Sequence, residues 1–179
     1  MWGIGCRGGF WFVKLGVVRN PVAGGGRLGA HWAEVAAALS DRFDDVEFRE
    51  TEEPGDGAVL ARDLVALGCE VVVAAGGDGT ISEVADGILQ MQAETGRGAV
   101  LGVLPCGTGL DFARGLGIPV DAKSAVDRIA DGSDRVIDAG RISFIEDHGR
   151  LASRHFVNIA SLGMSGATVR AVNNDRRKG

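Results

Sequence analysis

The chain has 179 residues, 45% of them hydrophobic and 29 of them glycine, enough for one buried core in a loop-rich α/β protein. A net charge of −5 excludes a general electrostatic pull toward nucleic acid or an anionic membrane. Three unpatterned cysteines, Cys6, Cys69 and Cys106, fit neither a disulfide framework nor a zinc site, and no run is long enough to span a bilayer.

Met1 to Phe12 carries two tryptophans and four glycines with no helical or strand period, and no small-residue cleavage site follows it. It is expected to be a disordered extension or a start-site artefact. Lys14 to Val18 reads as a strand that runs into Arg19-Asn20-Pro21-Val22-Ala23-Gly24-Gly25-Gly26. Trp32, Val35, Ala36 and Leu39 recur at helical spacing, so a helix is expected from Leu28 or Gly29 to Leu39. Asp45 to Glu50 is a short strand, and Asp56 to Leu67 a helix capped by Gly68.

Val71 to Ala75 is a buried strand leading into Gly76-Gly77-Asp78-Gly79-Thr80. The helix after it carries Ile81, Val84, Ala85, Ile88 and Leu89 inward, and Thr80-x-x-Glu83 has the spacing of a capping box. Ala99 to Leu104 is another strand, ending in Pro105-Cys106-Gly107-Thr108-Gly109-Leu110-Asp111-Phe112-Ala113-Arg114. Asp111 would cap a short helix to Leu116, with Arg114 pairing along its surface. Ala122 to Asp131 is a further helix ended by Gly132. Beyond Asp134, residues 135–144 and 153–161 are strand-like, with hairpin composition at 146–149. His31, His148 and His155 have no metal-ligand spacing, so surface or core roles are expected for them.

The βαβαβαβ order predicts an α/β fold, a mainly parallel sheet with helices on both faces. Parallel neighbours would bring the three loops after these strands to one sheet edge, where open α/β sheets bind ligands. Glycines there let backbone N–H groups approach an anion, and a helix N-terminus adds orphan donors. A carboxylate in such a site, Asp78, points to a metal ion or to a hydroxyl that must lose its proton. The plainer alternative is a strand-to-helix turn with a polar residue. Gly24-x-Gly26-x-x-Gly29 also fits a dinucleotide fingerprint with Glu47 or Glu50 downstream, but that reading leaves Asn20-Pro21 unexplained and the second glycine loop redundant.

Asn20-Pro21-x-x-Gly24, Gly-Gly-Asp-Gly-Thr at 76–80 and Gly107-Thr108-Gly109-x-Asp111-Phe112-Ala113-Arg114 together resemble the diacylglycerol kinase catalytic-domain family, which includes bacterial lipid kinases, sphingosine kinases and ceramide kinases. The second element alone is shared with NAD kinases and 6-phosphofructokinases. Leu110 departs from the family pattern, which usually has Asn there.

The resemblance implies a phosphofructokinase- or NAD kinase-like nucleotide-binding domain at 13–133 and the beginning of a β-rich, lipid-side domain at 134–179. Phe156-x-Asn158-x-Ala160-Ser161-x-Gly163 matches the family's segment there, and that domain is expected to be truncated. It further implies ATP-dependent phosphorylation of a hydroxyl on diacylglycerol or a related lipid, with Mg²⁺ on the phosphates. Asp78 is the catalytic candidate. Nucleotide contacts are carried over to Asn20, Thr51, Gly77, Asp78, Gly79, Thr80, Ile81, Ser82, Glu83 and Thr108. Thr51 could instead be a solvated turn residue, and Thr80 and Glu83 could serve only their helix cap. The expected partner is a lipid at a membrane surface, with no nucleic acid and with a homodimer left open. The expected location is cytoplasmic, peripheral to the membrane. An NAD kinase-like enzyme and a non-catalytic nucleotide-binding remnant remain alternatives.

Overall fold

The computed structural model describes residues 13–107, 110–146 and 148–159. The expectations for Met1 to Phe12, Thr108, Gly109, Ala160, Ser161 and Gly163 lie outside the described residues. In chain order the elements are β1 (Lys14–Arg19), α1 (Arg27–Ser40), β2 (Asp45–Glu50), α2 (Asp56–Ala66), β3 (Val71–Gly76), α3 (Asp78–Thr95), β4 (Val100–Pro105), α4 (Asp111–Leu116), α5 (Ala122–Ala130), β5 (Gly140–Ile145) and β6 (Leu151–Phe156).

Strands β2-β1-β3-β4 form one four-stranded sheet, every pair parallel. All six residues of β3 are buried, as a central parallel strand covered on both faces requires. Side-chain alternation divides the core in two. Leu15, Val17, Val71, Val73, Ala75 and Leu104 pack against Val35 and Leu39 of α1 and Ala125 and Val126 of α5. Val18, Val72, Ala74 and Val103 pack against Ala61, Leu64 and Val65 of α2 and Ile81, Val84, Ile88 and Met91 of α3. Each fully buried Val, Leu, Ile or Met among them is worth about 1.5–3 kcal/mol. The two helices of the second face approach closely because Gly87 lacks a side chain. A Cβ there would lie 2.2 Å from the Ala58 carbonyl oxygen.

The topology fixes where a ligand can bind. From β1 the chain passes through α1 to β2, then through α2 back across β1 to β3. β1 and β3 are therefore neighbours whose following helices, α1 and α3, lie on opposite faces. Their loops diverge and leave a crevice at the carboxyl edge, the switch point of an open α/β sheet.

The last two strands form a separate antiparallel hairpin running from Gly140↔Phe156 to Ile145↔Leu151. The strand expected from 135 begins only at Gly140, and its partner spans Leu151–Phe156 rather than 153–161. In the Gly140↔Phe156 pair the aromatic ring lies over the glycine, since a Cβ on Gly140 would sit 2.2 Å from Phe156 Cζ. Val136, before it, is 97% exposed.

Candidate phosphate-binding site

The N-terminus of α3 lies at the switch point. Its cap position is held by Gly77 in an extended conformation, and no side chain caps it. The first bond of the helix is Ile81 N–H to the Gly77 carbonyl at 3.0 Å, so the amides of Asp78, Gly79 and Thr80 precede the ladder. Gly79 faces open space, since a Cβ built on it would have no atom within 4 Å apart from its chain neighbours and the adjoining helix backbone. An 18-residue helix with this uncapped end concentrates partial positive charge on donors that an anion can reach.

The expected capping box is not formed. Thr80 is the third residue of α3, and its hydroxyl is engaged by Asn20 instead. Gly77, at the cap, lies against the next loop, where it is Gly107 that has no room for a side chain. A Cβ on Gly107 would lie 2.7 Å from Gly77 Cα. The Cys106 N–H also donates to the Gly76 carbonyl at 2.8 Å, holding the two loops side by side.

Three side chains of α3 then reach three different loops. Asn20 Nδ2 donates to Thr80 Oγ1 at 3.2 Å, while Asn20 Oδ1 accepts from the Val22 N–H at 3.1 Å. Asp78 Oδ2 and Oδ1 accept from the Asp111 and Phe112 N–H groups at 3.2 and 3.0 Å. Glu83 Oε1 and Oε2 accept from the Gly55 and Gly57 N–H groups at 2.9 and 3.1 Å. Asp78 and Glu83 therefore supply acceptors to the starts of α4 and α2, whose own cap residues, Leu110 and Gly55, make no side-chain cap bond. This corrects the cap expected from Asp111, which is the first residue of α4, with its carboxylate 3.8 Å from Arg114 Nη1. Leu110 has φ 58° and is the one non-glycine residue with positive φ among the described residues. The left-handed backbone favours Asn or Gly at that position.

The remaining candidates spread along the same edge. The Thr51 N–H donates to the Arg19 carbonyl at 2.9 Å, which places Thr51 beside the turn after β1. In that turn Gly24, Gly25 and Gly26 have φ of 63°, 72° and 84°, costly for residues with a Cβ. The turn after Thr51 is braced by Asp56 Oδ2, which accepts from the Glu53 and Glu52 N–H groups; these bonds hold the Asp56 carboxyl below its ordinary pKa. Ser82 is half-buried. Ile81 is fully buried in the core, so its side chain cannot meet a ligand.

Arg19, Asp86 and His155 carry interactions that sequence patterns did not single out. The Arg19 guanidinium lies 4.9 Å from the Trp32 ring centroid and 3.1 Å from Glu50, and its Nε is buried without a partner. Asp86, 5% exposed in α3, accepts from the His155 N–H at 2.8 Å and lies 3.0 Å from His155 Nδ1.

Among the described residues no group of three His, Cys, Asp or Glu is placed to hold a metal ion. A Mg²⁺ ion commonly binds through phosphates and one or two carboxylates. Asp78 meets that lesser requirement, because each of its oxygens accepts one N–H and keeps another lone-pair direction.

The chain is similar over much of its length to known lipid kinases. It is 33% identical over 148 residues to a diacylglycerol kinase of Bacillus subtilis, covering 82% of this chain and 45% of that protein. It is 38% identical over 130 residues to a protein named Probable lipid kinase YegS-like from Chromohalobacter salexigens, covering 73% and 38%. The crystal structure of a diacylglycerol kinase from Bacillus anthracis str. Sterne superposes with a TM-score of 0.59 at 25% identity, covering 73% of this chain and 44% of that one. The chain thus spans less than half the length of these relatives. The diacylglycerol kinase catalytic domain profile matches residues 14–142, and the chain belongs to that family.

Proposed function

We propose that this chain is the nucleotide-binding part of an ATP-dependent lipid kinase acting on a hydroxyl of diacylglycerol or a related lipid. The observation that carries the reading is the uncapped N-terminus of α3, ringed by loops that its own side chains hold in place. The amides of Asp78, Gly79 and Thr80 bind phosphate oxygens, and the absent side chain of Gly79 leaves room for them. Asn20, Thr51, Gly77, Ser82 and Thr108 complete the nucleotide contacts. Ile81 anchors the helix from the core, and Glu83 acts through the Gly55–Gly57 turn.

In the transfer, the acceptor oxygen bonds to the γ-phosphorus as the bond from phosphorus to the β-bridging oxygen breaks, and the hydroxyl proton passes to a base. Asp78 is assigned that base or a metal-linked role, with its orientation fixed by the start of α4. Mg²⁺ supplies charge neutralisation on the phosphate oxygens. Residues 13–133 form the nucleotide side, and the hairpin from Gly140 begins the acceptor side. No helix among the described residues is long and apolar enough to cross a membrane, which fits a protein that meets its lipid at a cytoplasmic membrane surface.

The test follows labelled phosphate from ATP to diacylglycerol in mixed micelles, for the 179-residue chain and for the chain continued by its downstream coding sequence. The continued chain is expected to form lipid phosphate, and the shorter chain to form little. Positioning of the acceptor in line with the γ-phosphate is worth up to about 7–11 kcal/mol, and the second wall of the cleft supplies it. Phosphorylation of NAD in place of lipid would overturn the reading in favour of an NAD kinase-like enzyme. ATP binding with no transfer from either chain would leave a non-catalytic remnant.

A further inference from the structure

Asp86 is buried, carries no part of the phosphate site, and spends its carboxylate on another element. It lies eight residues after Asp78 on α3, about 12 Å along the helix axis. Its Oδ1 accepts from the His155 main chain at 2.8 Å and lies 3.0 Å from His155 Nδ1. Its Oδ2 accepts from Gln90 Nε2 at 2.9 Å, and Gln90 Oε1 in turn accepts from Arg62 at 3.1 Å. A buried carboxylate left without donors is costly, so the hairpin and α3 are bound together by the desolvation of one acid. His155 sits one residue before the end of β6, opposite Arg141, and its side chain is 18% exposed.

We propose that Asp86 and His155 are positioning residues that latch the β5–β6 hairpin to the phosphate-binding helix. The latch sets the distance between the acceptor side and the γ-phosphate. This rests on the lipid kinase reading for its consequence in transfer, but not for the latch itself. One rigid helix then carries both references: its first turn locates the phosphates, and its third turn locates the hairpin. His155 gives Asp86 two donors from one residue, which fixes rotation of the strand as well as its separation from α3. An Asn at 155 would keep a donor close to the place of Nδ1, whereas Ala would keep only the main-chain N–H.

The experiment takes the chain continued by its downstream coding sequence as parent and compares it with Asp86→Ala, His155→Ala, His155→Asn and the double alanine variant. Three readouts are taken: ATP·Mg²⁺ affinity, amide exchange across 78–95 and 140–156, and lipid phosphorylation at saturating ATP. Exchange across 140–156 is expected to rise about tenfold in the alanine variants, with 78–84 unchanged. ATP affinity is expected to stay within about twofold, while transfer falls about tenfold or more and His155→Asn recovers most of it. The double variant should be no worse than Asp86→Ala, because removal of the acid already removes both bonds to His155. Unchanged exchange in 140–156, or loss of transfer only in proportion to ATP affinity, would overturn the proposal. If the parent transfers no phosphate, the lipid kinase reading fails, and the exchange data alone then decide the latch.

Discussion

The Asn20 amide and the Thr80 hydroxyl, 60 residues apart in sequence, meet at 3.2 Å across the crevice between β1 and β3. Asn20 follows the central strand β1, and Thr80 lies in the first turn of α3 with 5% of its surface exposed. The bond links the two loops that diverge at the switch point. With the carboxylates of Asp78 and Glu83 it makes the start of α3 the point to which the surrounding loops are fastened.

Asp78→Asn replaces one of two acceptor oxygens with a donor that faces a main-chain N–H. The start of α4 then loses one bond, and stability should fall by about 1 kcal/mol, within the usual range for a lost helix cap. Transfer to lipid should be abolished in a protein that still unfolds cooperatively. Transfer close to that of the parent would remove Asp78 from the mechanism.

Glu83→Ala leaves the Gly55 and Gly57 N–H groups without their acceptor. The expected cost is about 1–3 kcal/mol for stranded, partly buried donors, read as a lower urea midpoint with an unchanged slope. ATP affinity should fall as well, since the turn after Thr51 loses its anchor. A variant as stable as the parent would show that water replaces the carboxylate at no cost.

Acid should loosen the two exposed braces formed by Asp56 and Asp121. Asp121 Oδ1 accepts from the Ser124 N–H at 2.9 Å at the start of α5, and that bond holds its carboxyl below the ordinary value, as the Glu53 and Glu52 amides do for Asp56. A depressed folded pKa contributes stability that is present above the unfolded value, about 3.9, and is lost as pH falls through the folded value. Asp121→Ala should therefore be less stable than the parent at pH 7, with the gap closing below about pH 4. A gap of constant size from pH 7 to 3.5 would contradict the assignment.

Much of the fold was legible because its signals are local. β2 falls on the expected residues Asp45 to Glu50, and Gly68 and Gly132 follow their helices with φ of 89° and 63°. The three glycine loops were legible for the same reason, since a tight turn at a strand end needs particular residues at fixed offsets. The links between the loops were not. Asp78 meets the start of α4 33 and 34 residues later, and Glu83 reaches 26 and 28 residues back to α2. No periodicity records such a pairing. Thr80 and Glu83 even carry a local pattern, the capping box, that tertiary contacts override. Asp86 drew no reading from the sequence, and His155 only that of a surface or core histidine without metal-ligand spacing, because their meaning lies in each other.

The central claim is that ATP phosphates bind the open first turn of α3, and calorimetric titration of the parent and Gly79→Ala with ATP·Mg²⁺ and with NAD tests it directly. Beyond its chain neighbours and the adjoining helix backbone the added methyl meets nothing within 4 Å, so the fold should be as stable as before or gain up to about 1 kcal/mol of helix propensity. It would occupy the space where the backbone approaches phosphate. The parent should bind ATP·Mg²⁺ more tightly than NAD, and Gly79→Ala should lose tenfold or more in ATP affinity, about 1.4 kcal/mol. Equal ATP affinity in parent and variant, or tighter binding of NAD, would contradict the account.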